Sequence, residues 1–288
     1  MSIPASVLQI IAAPFLLGAA GIALFGRPYR NHMHPGLLFH SIVQKRPFTL
    51  SEIPLPLFST LMEALHCSGY RPVTVTGKAS GATRPGAMEN KKICITFDDG
   101  CRSFYTRALP VLESLQFKST LFPVAGYLGK SSTWDVLPSF PHLTVAELRE
   151  VSDCGHEIGS HTMTHANCTY LAAKDLAVEL GDSRKLLEDV TGRAVTSLSF
   201  PFGSWNRRVW DIARESGYTC ATLYRGHRHA ASNLVPVYGV YRFDTPGSVL
   251  TKINPSLPLS TTVALATMMS HFAKGAPIWK FRKNYTIV

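Results

Sequence analysis

The sequence predicts an α/β fold built on a mainly parallel β-sheet, either open or closed into a barrel. From residue 35 onward, short apolar runs of strand length alternate with longer stretches in which apolar residues recur every three or four positions. Several of the longer stretches end in Gly, which is typical of a helix C-terminus. Strands and helices in alternation form a parallel sheet covered by helices. The chain of 288 residues, 45% of them hydrophobic, is long enough to bury a sizeable core.

The first element is an apolar segment with no charged residue from Ser2 to Gly26. It approaches the roughly 20 residues that a helix needs to cross a bilayer, so we predict an apolar N-terminal helix that anchors residues 1–26 in a membrane. A cleaved signal peptide, or a helix packed on the domain or lying in the membrane interface, are the alternatives. Basic residues follow the segment at Arg27, Arg30, Lys45 and Arg46. They favour a cytoplasmic location for the rest of the chain.

The alternating elements follow in order. Six apolar runs are predicted strands: "GLLFHSIV" (36–43), "RPVTV" (71–75), "KICITF" (92–97), "STLFPV" (119–124), "HEIGSH" (156–161) and "TSLSFPFG" (196–203). Five stretches between them are predicted helices: "LPLFSTLMEALHCSG" (55–69), "YTRALPVLESLQ" (105–116), "TVAELREVSDCG" (144–155), "AKDLAVELGDSRKLLEDVTG" (173–192) and "NRRVWDIARESG" (206–217). The Gly-rich stretch 77–90 is a predicted polar loop.

Charge and cysteine content limit the class of protein. The formal net charge of +10 suits anionic surfaces such as lipid head groups or acidic glycans. No compact basic run with interleaved aromatic residues occurs, so we expect no nucleic-acid partner. The six cysteines lie far apart without a C-x-x-C pair, which favours reduced and mostly buried thiols over a disulfide framework.

Polar residues of metal-binding type follow three of the predicted strands. Asp98 and Asp99 close "ICITF", His161 and His165 close and follow "EIGS", and the turn 201–203 closes "SLSF". Each cluster alone could arise by chance. Their shared position matters because functional side chains of parallel α/β folds collect at the carboxyl ends of the strands.

Two imidazoles and one carboxylate are a suitable ligand set for one catalytic divalent ion. Zinc is the preferred ion, with cobalt, nickel, iron and manganese as alternatives. Successive side chains at a strand end point apart, so one aspartate can bind the metal while its neighbour acts as a general base. A backbone N–H at Phe202 could stabilise the oxyanion of an amide or ester substrate.

The motifs "ITFDDG", "EIGSHTMTH" and "FPFG", in this order, resemble those of the metal-dependent polysaccharide deacetylases, the NodB homology domain of carbohydrate esterase family 4. The resemblance covers roughly residues 35–245. It implies an irregular (β/α) barrel and the removal of acetyl groups from sugars, usually N-acetylated ones. It also implies boundaries at 27–90 for an N-terminal strand-helix-strand part with its loop, 91–250 for the catalytic core and 251–288 for a C-terminal extension.

The resemblance assigns roles by motif. Asp98 would be the general base, with Asp99, His161 and His165 as the metal ligands, and Thr162 would support the metal loop. Phe202 stands where the family often has Tyr and would contribute its backbone N–H. Substrate-binding candidates are Pro201, Gly203, Trp134 and His40; Trp205 is a further aromatic candidate.

Three positions depart from the pattern. Ser199 stands where many members have an Arg that orients the base, and Cys101 replaces an aromatic residue. The late His that would protonate the leaving amine has His271 as its positional candidate, with His227 and His229 as alternatives.

The predicted function is therefore a metal-dependent hydrolase of carbon–nitrogen bonds other than peptide bonds, which deacetylates amino sugars of a polysaccharide, peptidoglycan or lipid-linked glycan. Two alternatives stay open. One is a catalytically impaired relative that binds glycan or scaffolds an envelope assembly, and the other is an amidase acting on a small amide. The expected partners are an N-acetylated glycan and, through the N-terminal segment, a membrane.

Overall fold

The structure, a computed structural model, describes residues 35–44, 46–80, 91–133, 139–224 and 233–253. The predicted apolar helix within residues 1–26 lies outside the described residues. Within the described ranges, no helix combines the length and the apolar composition that a membrane span requires.

A parallel sheet forms the centre of the fold. The strands of the described residues are β1 (Gly36–Phe39), β2 (Ser41–Val43), β3 (Glu52–Pro54), β4 (Arg71–Pro72), β5 (Lys92–Ile93), β6 (Ile95–Phe97), β7 (Thr120–Leu121), β8 (Glu157–Ile158), β9 (Ser197–Ser199), β10 (Cys220–Tyr224) and β11 (Leu234–Gly239). Seven of them form one sheet in the order β8-β7-β6-β1-β11-β10-β9. All of its pairings are parallel; Leu37, for example, is aligned with Ile95 on one side and Tyr238 on the other.

The two outer strands of this sheet meet and nearly close it. A parallel bridge joins Ser160, just after β8, to Leu198 in β9. The Ser160 N–H donates to the Ser197 carbonyl, and the Ser199 N–H donates to the Ser160 carbonyl, each at 2.9 Å. The sheet is therefore a nearly closed, irregular (β/α) barrel, which confirms the predicted fold class.

Helices lie between the strands. They are α1 (Leu55–Cys67), α2 (Val75–Ser80), α3 (Leu109–Ser114), α4 (Val145–Asp153), α5 (Ala173–Thr191), α6 (Arg207–Glu215) and α7 (Pro246–Ile253), with a π-helical turn (Phe104–Ala108) before α3. Helix α4 begins with a capping box in which Thr144 and Glu147 exchange side-chain and backbone hydrogen bonds. Gly192 directly follows the last residue of helix α5, and its φ of 65° is the left-handed conformation typical of a Gly at a helix C-terminus.

Aromatic side chains fill the core beneath the end of β6. The Phe97 ring stacks on Phe39 at 5.3 Å and meets Phe104 edge-on at 4.8 Å, and Phe58 packs against both Phe39 and Phe97. All four rings are fully buried. Because Phe97 directly precedes Asp98, this packing fixes the point from which the two aspartates leave the strand.

Two local predictions were wrong. The loop prediction for 77–90 fails at its start, since α2 begins at Val75 and continues to Ser80. The Val75 N–H donates to the Thr120 hydroxyl at 2.9 Å and the Thr76 N–H to the Glu157 carboxylate at 3.1 Å, so partners from distant strands anchor this short helix. Strands β10 and β11 were missed. Pro236 within β11 weakens the strand signal, and pairing with β10 on one side and β1 on the other makes that segment extended.

Gly159 provides a test of the packing between β8 and β9. A Cβ at this position would lie 2.3 Å from the Phe122 ring and 2.5 Å from the Ser197 Oγ, so Gly159→Ala should lower the free energy of unfolding by about 2–3 kcal/mol. Gly181→Ala is the control, because nothing lies within 4 Å of its added Cβ in the middle of α5. It should stabilise the protein by about 0.5–1 kcal/mol. Urea unfolding of both variants checks this; equal stabilities would contradict the packing described.

Candidate metal centre

The site lies at one end of the barrel, where the carboxyl ends of β6, β8 and β9 meet. Asp98 and Asp99 follow β6, His161 and His165 follow β8, and the turn Pro201–Gly203 follows β9. Parallel strands place their carboxyl ends on the same side, so three segments far apart in sequence converge there.

Three side chains converge closely enough to hold an ion. Asp99 Oδ1 lies 3.5 Å from His161 Nε2 and 3.5 Å from His165 Nε2. One ligand atom from each of the three residues lies within 4.8 Å of the others, and all three residues are buried. Asp98 Oδ2 lies at 4.0 Å from His161 Nε2, beside this cluster.

Hydrogen bonding fixes the tautomer of His161. Its Nδ1 lies 2.9 Å from the Ser199 carbonyl oxygen, which can only accept, so Nδ1 carries the proton and Nε2 presents its lone pair toward Asp99. Burial lowers the pKa of His161 to about 3, and burial lowers the pKa of His165 well below its ordinary value. Both imidazoles are therefore neutral near pH 7, as metal ligands must be.

The two carboxyl groups are destabilised as anions by the same burial. Burial raises the pKa of Asp99 to about 7. Burial, and then the charge of Asp99, raise the pKa of Asp98 well above its usual range, while a hydrogen bond from Ser199 opposes that rise. A divalent cation between one carboxylate oxygen and two neutral imidazole nitrogens would offset the cost of burying the charge, and this donor set suits zinc. The residues present therefore fit the metal that the sequence implies.

Left-handed backbone conformations are concentrated in the site. Among the described residues, five non-glycine residues have positive φ, and four of them are Asp99 (68°), Thr162 (68°), His165 (62°) and Phe202 (61°). Such conformations cost on the order of 1–3 kcal/mol each and persist where surrounding contacts impose them. The backbone strain therefore falls on the residues that the motifs singled out.

Hydrogen bonds impose these conformations. The Val124 N–H donates to the Asp99 carbonyl at 3.2 Å and the Ala125 N–H to the Thr162 carbonyl at 3.0 Å. The Thr162 hydroxyl accepts from the His165 N–H at 3.2 Å. Thr162 thus sits where it can support the loop between the two histidines.

Glu179 is a supporting residue that the sequence analysis missed. It projects from α5 with only 3% of its surface exposed, and its Oε1 accepts from the Thr164 N–H at 2.6 Å and from the Thr164 hydroxyl at 3.0 Å. Thr164 directly precedes His165. The sequence does contain a signal for Glu179. It lies on the same face of α5 as the buried Leu176, Leu180 and Leu187, where a charged residue is rarely found without a partner.

The remaining predicted residues divide into two groups. The Phe202 ring packs edge-on against His165 at 4.8 Å, and Pro201 beside it is buried. His40 directly follows β1; burial is the largest cause of the lowered pKa of His161 and of His165, and the charge of His40 lowers both pKa values further. Trp134 and His271 lie outside the described residues, as do His227 and His229.

Cys101, which departs from the family pattern, and Trp205, the further aromatic candidate, both pack within the fold. Cys101 is buried and forms an antiparallel bridge with His142. Trp205 is partly buried and stacks on Phe200 with ring centroids 6.3 Å apart, so it packs on the core. Four of the six cysteines are buried, and Cys67 and Cys154 are exposed.

A sequence profile described as "Polysaccharide deacetylase" matches residues 86–221, a range that contains every residue of the candidate metal centre. Residues 86–221 belong to the polysaccharide deacetylase family. The family predicted from the three motifs is thereby confirmed, and the matched residues run from just before β5 to the start of β10.

Two curated proteins are similar to this chain in sequence. The chain is 29% identical to YxkH of Bacillus subtilis over 184 residues, which are 64% of this chain and 62% of YxkH. It is 32% identical to the peptidoglycan-N-acetylglucosamine deacetylase PgdA of Listeria monocytogenes over 126 residues, 43% of this chain and 24% of PgdA. The match therefore spans less than two thirds of either relative.

The structure of the Streptococcus pyogenes deacetylase PplD in complex with acetate has a similar fold. It superposes with a TM-score of 0.67 and 21% identity, covering 77% of this chain and 98% of that structure. At this level of identity the likeness shows the fold.

The ligand assignment predicts the metal content. Purified protein should contain about one divalent ion per chain, and His161→Ala should lose most of it because one of three protein ligands is removed. Elemental analysis after dialysis checks this. Full occupancy in His161→Ala would contradict the assignment.

The hydrogen bonds between Glu179 and Thr164 predict that Glu179 affects zinc affinity without touching the metal. Glu179→Ala should weaken zinc binding by about tenfold, since residues that orient metal ligands typically contribute that much. Glu188→Ala is the matched control: this carboxylate on α5 also accepts from a backbone N–H, that of Val195 at 3.0 Å, away from the site. Competition with a chelating dye measures both affinities. Equal zinc affinities in the two variants would show that Glu179 does not orient the metal loop.

Proposed function

We propose that the protein is a metal-dependent hydrolase that removes acetyl groups from amino sugars of a polysaccharide, peptidoglycan or lipid-linked glycan. The observation that carries the proposal is the buried cluster of Asp99, His161 and His165 with a second carboxylate, Asp98, directly beside it. Cleaving an amide is helped by a group that polarises the carbonyl and by a general base. An ion held by Asp99, His161 and His165 would supply the first, and Asp98 would supply the second.

Asp99, His161 and His165 would hold the ion. When bound, a divalent ion acts as a Lewis acid that polarises a carbonyl oxygen and acidifies water. Zinc is the first candidate on the basis of the donor set, with cobalt, nickel, iron and manganese as alternatives.

Asp98 is the proposed general base. Its Oδ2 accepts a hydrogen bond from the Ser199 hydroxyl at 2.9 Å, whereas its buried Oδ1 has no partner among the described residues. Oδ1 is therefore the atom available to accept a proton. Because Asp98 is 4.0 Å from the nearest histidine nitrogen, it can act next to the ligands without being one of them.

The turn after β9 is the proposed oxyanion site. Phe202 has φ 61°, and the Gly203 N–H donates to the Phe200 carbonyl at 2.9 Å, so the turn is internally braced. The Phe202 ring contacts the ring of His165, so the turn adjoins a proposed metal ligand. The Phe202 N–H would donate to the carbonyl oxygen of the substrate as negative charge develops on it.

The substrate class comes from the relatives. PgdA is named a peptidoglycan-N-acetylglucosamine deacetylase, and the PplD structure contains acetate. His40 and, outside the described residues, Trp134 remain proposed contacts for the glycan, and His271 remains the proposed general acid. The intact donor set gives no support to the catalytically impaired alternative.

Attachment to a membrane through residues 1–26 is also a proposal, and it rests on the apolar sequence alone. It would place the site close to a glycan held at the membrane, such as a lipid-linked one. Fractionation of the full chain against a chain lacking residues 1–26 tests it; recovery of both in the soluble fraction would contradict it.

The two aspartates should respond differently to substitution. Asp98→Asn should retain the metal and lose at least about 100-fold in kcat, because general-base catalysis contributes about 10²–10⁴-fold. Asp99→Ala should lose the metal itself. Acetate release from a panel of acetylated glycans with added zinc or cobalt, combined with metal analysis, checks both. Loss of metal in Asp98→Asn would reverse the assignment, and no acetate release by the wild-type protein from any glycan would refute the proposed function.

A further inference from the structure

Ser199 contacts both the proposed general base, Asp98, and a proposed metal ligand, His161. Its hydroxyl donates to Asp98 Oδ2 at 2.9 Å, and its backbone carbonyl accepts from His161 Nδ1 at 2.9 Å. It is 3% exposed, so neither bond competes with bulk water. One residue of β9 thus touches the proposed base, which follows β6, and a proposed metal ligand, which follows β8.

The backbone of Ser199 is fixed by the barrel. Its N–H donates to the Ser160 carbonyl across the closing bridge, and on its other side Ser199 is aligned with Thr222 of β10. A side chain on a paired strand is placed more precisely than one on a loop. The Ser199 hydroxyl is therefore a rigid donor.

The hydroxyl determines which way the Asp98 carboxylate faces. The χ2 torsion of an aspartate has a broad preference, so the carboxylate needs a hydrogen-bond partner to hold one orientation. With Oδ2 bound to Ser199, Oδ1 is the oxygen left without a partner among the described residues. Removing the hydroxyl would leave both oxygens of a buried carboxylate without that restraint.

We propose that Ser199 is a positioning residue, which orients the Asp98 carboxylate for proton transfer through its hydroxyl and fixes the His161 tautomer through its carbonyl. This inference rests on the proposed function for its kinetic effect. The hydroxyl and the carbonyl act on different partners, so a side-chain substitution separates them: Ser199→Ala removes the first bond and keeps the second.

Ser197 provides a matched control on the same strand. It is also a fully buried serine of β9, and its hydroxyl donates to a carboxylate, Glu157 Oε1, at 2.7 Å. Glu157 begins β8, at the opposite end of the strands from the metal centre. Ser197→Ala and Ser199→Ala therefore each remove one buried hydroxyl-to-carboxylate bond, with similar expected costs in stability.

The experiment compares wild type, Ser199→Ala, Ser199→Thr and Ser197→Ala as zinc-loaded full chains. Substrates are an N-acetylglucosamine oligosaccharide and 4-nitrophenyl acetate, so that a failure of the proposed glycan class is distinguishable from a failure of the inference. Ser199→Ala should lose about tenfold in kcat with unchanged KM and zinc content, as expected for a residue that orients a reacting group. Ser199→Thr should recover most of that kcat, and Ser197→Ala should stay within about twofold of wild type.

Crystal structures of wild type and Ser199→Ala give a readout that does not need activity. The Asp98 carboxylate should change its orientation or occupy two conformers in the variant, while Asp99, His161 and His165 superpose. An unchanged single orientation of Asp98 would overturn the inference. So would an unchanged kcat in Ser199→Ala, or an equal loss in Ser197→Ala, which would indicate a general effect of stability.

Discussion

The cost of burying two adjacent carboxyl groups at the end of β6 is the constraint on which the site depends. Asp98 and Asp99 are 5% and 7% exposed, and burial raises the pKa values of both. A fold keeps such a pair only if each member has a compensating partner. Asp99 faces two neutral imidazoles and a position for a cation, whereas Asp98 accepts a hydroxyl hydrogen bond. The different partners of the two neighbours are the physical basis for assigning them different roles.

The barrel provides the rigidity that this arrangement needs. Closure through Ser160 and Leu198 brings the ends of β8 and β9 together, and the same bridge aligns Ser199 with His161. Four strained residues follow the ends of β6, β8 and β9, and Thr162 and Glu179 brace the loop that carries two of them. Strain of this kind is stable only where the surrounding contacts over-determine the backbone. The scaffold and the site are therefore built from the same hydrogen bonds.

Much of the fold could be predicted because it is encoded locally. The predicted helix 173–192 differs from α5 by one residue, since a long amphipathic repeat and a terminal Gly are both visible in the sequence. The residues at which strands begin and end were less predictable. Segment 119–124 contributes only Thr120 and Leu121 to β7, and β11 contains a Pro that argues against a strand. In these cases pairing with a neighbouring strand, which a local pattern does not record, decides the conformation.

The sequence by itself determined the alternation of elements, the three polar clusters at strand ends and the chemical types of their side chains. Only the tertiary structure decided how those side chains are oriented. It fixed the tautomer of His161, the Asp98 oxygen that Ser199 binds and the bracing of Thr164 through contacts between residues 38, 101 and 15 positions apart. The physical reason is that residue type and spacing specify which donors and acceptors exist. The direction of a hydrogen bond depends on where the closed barrel places both partners.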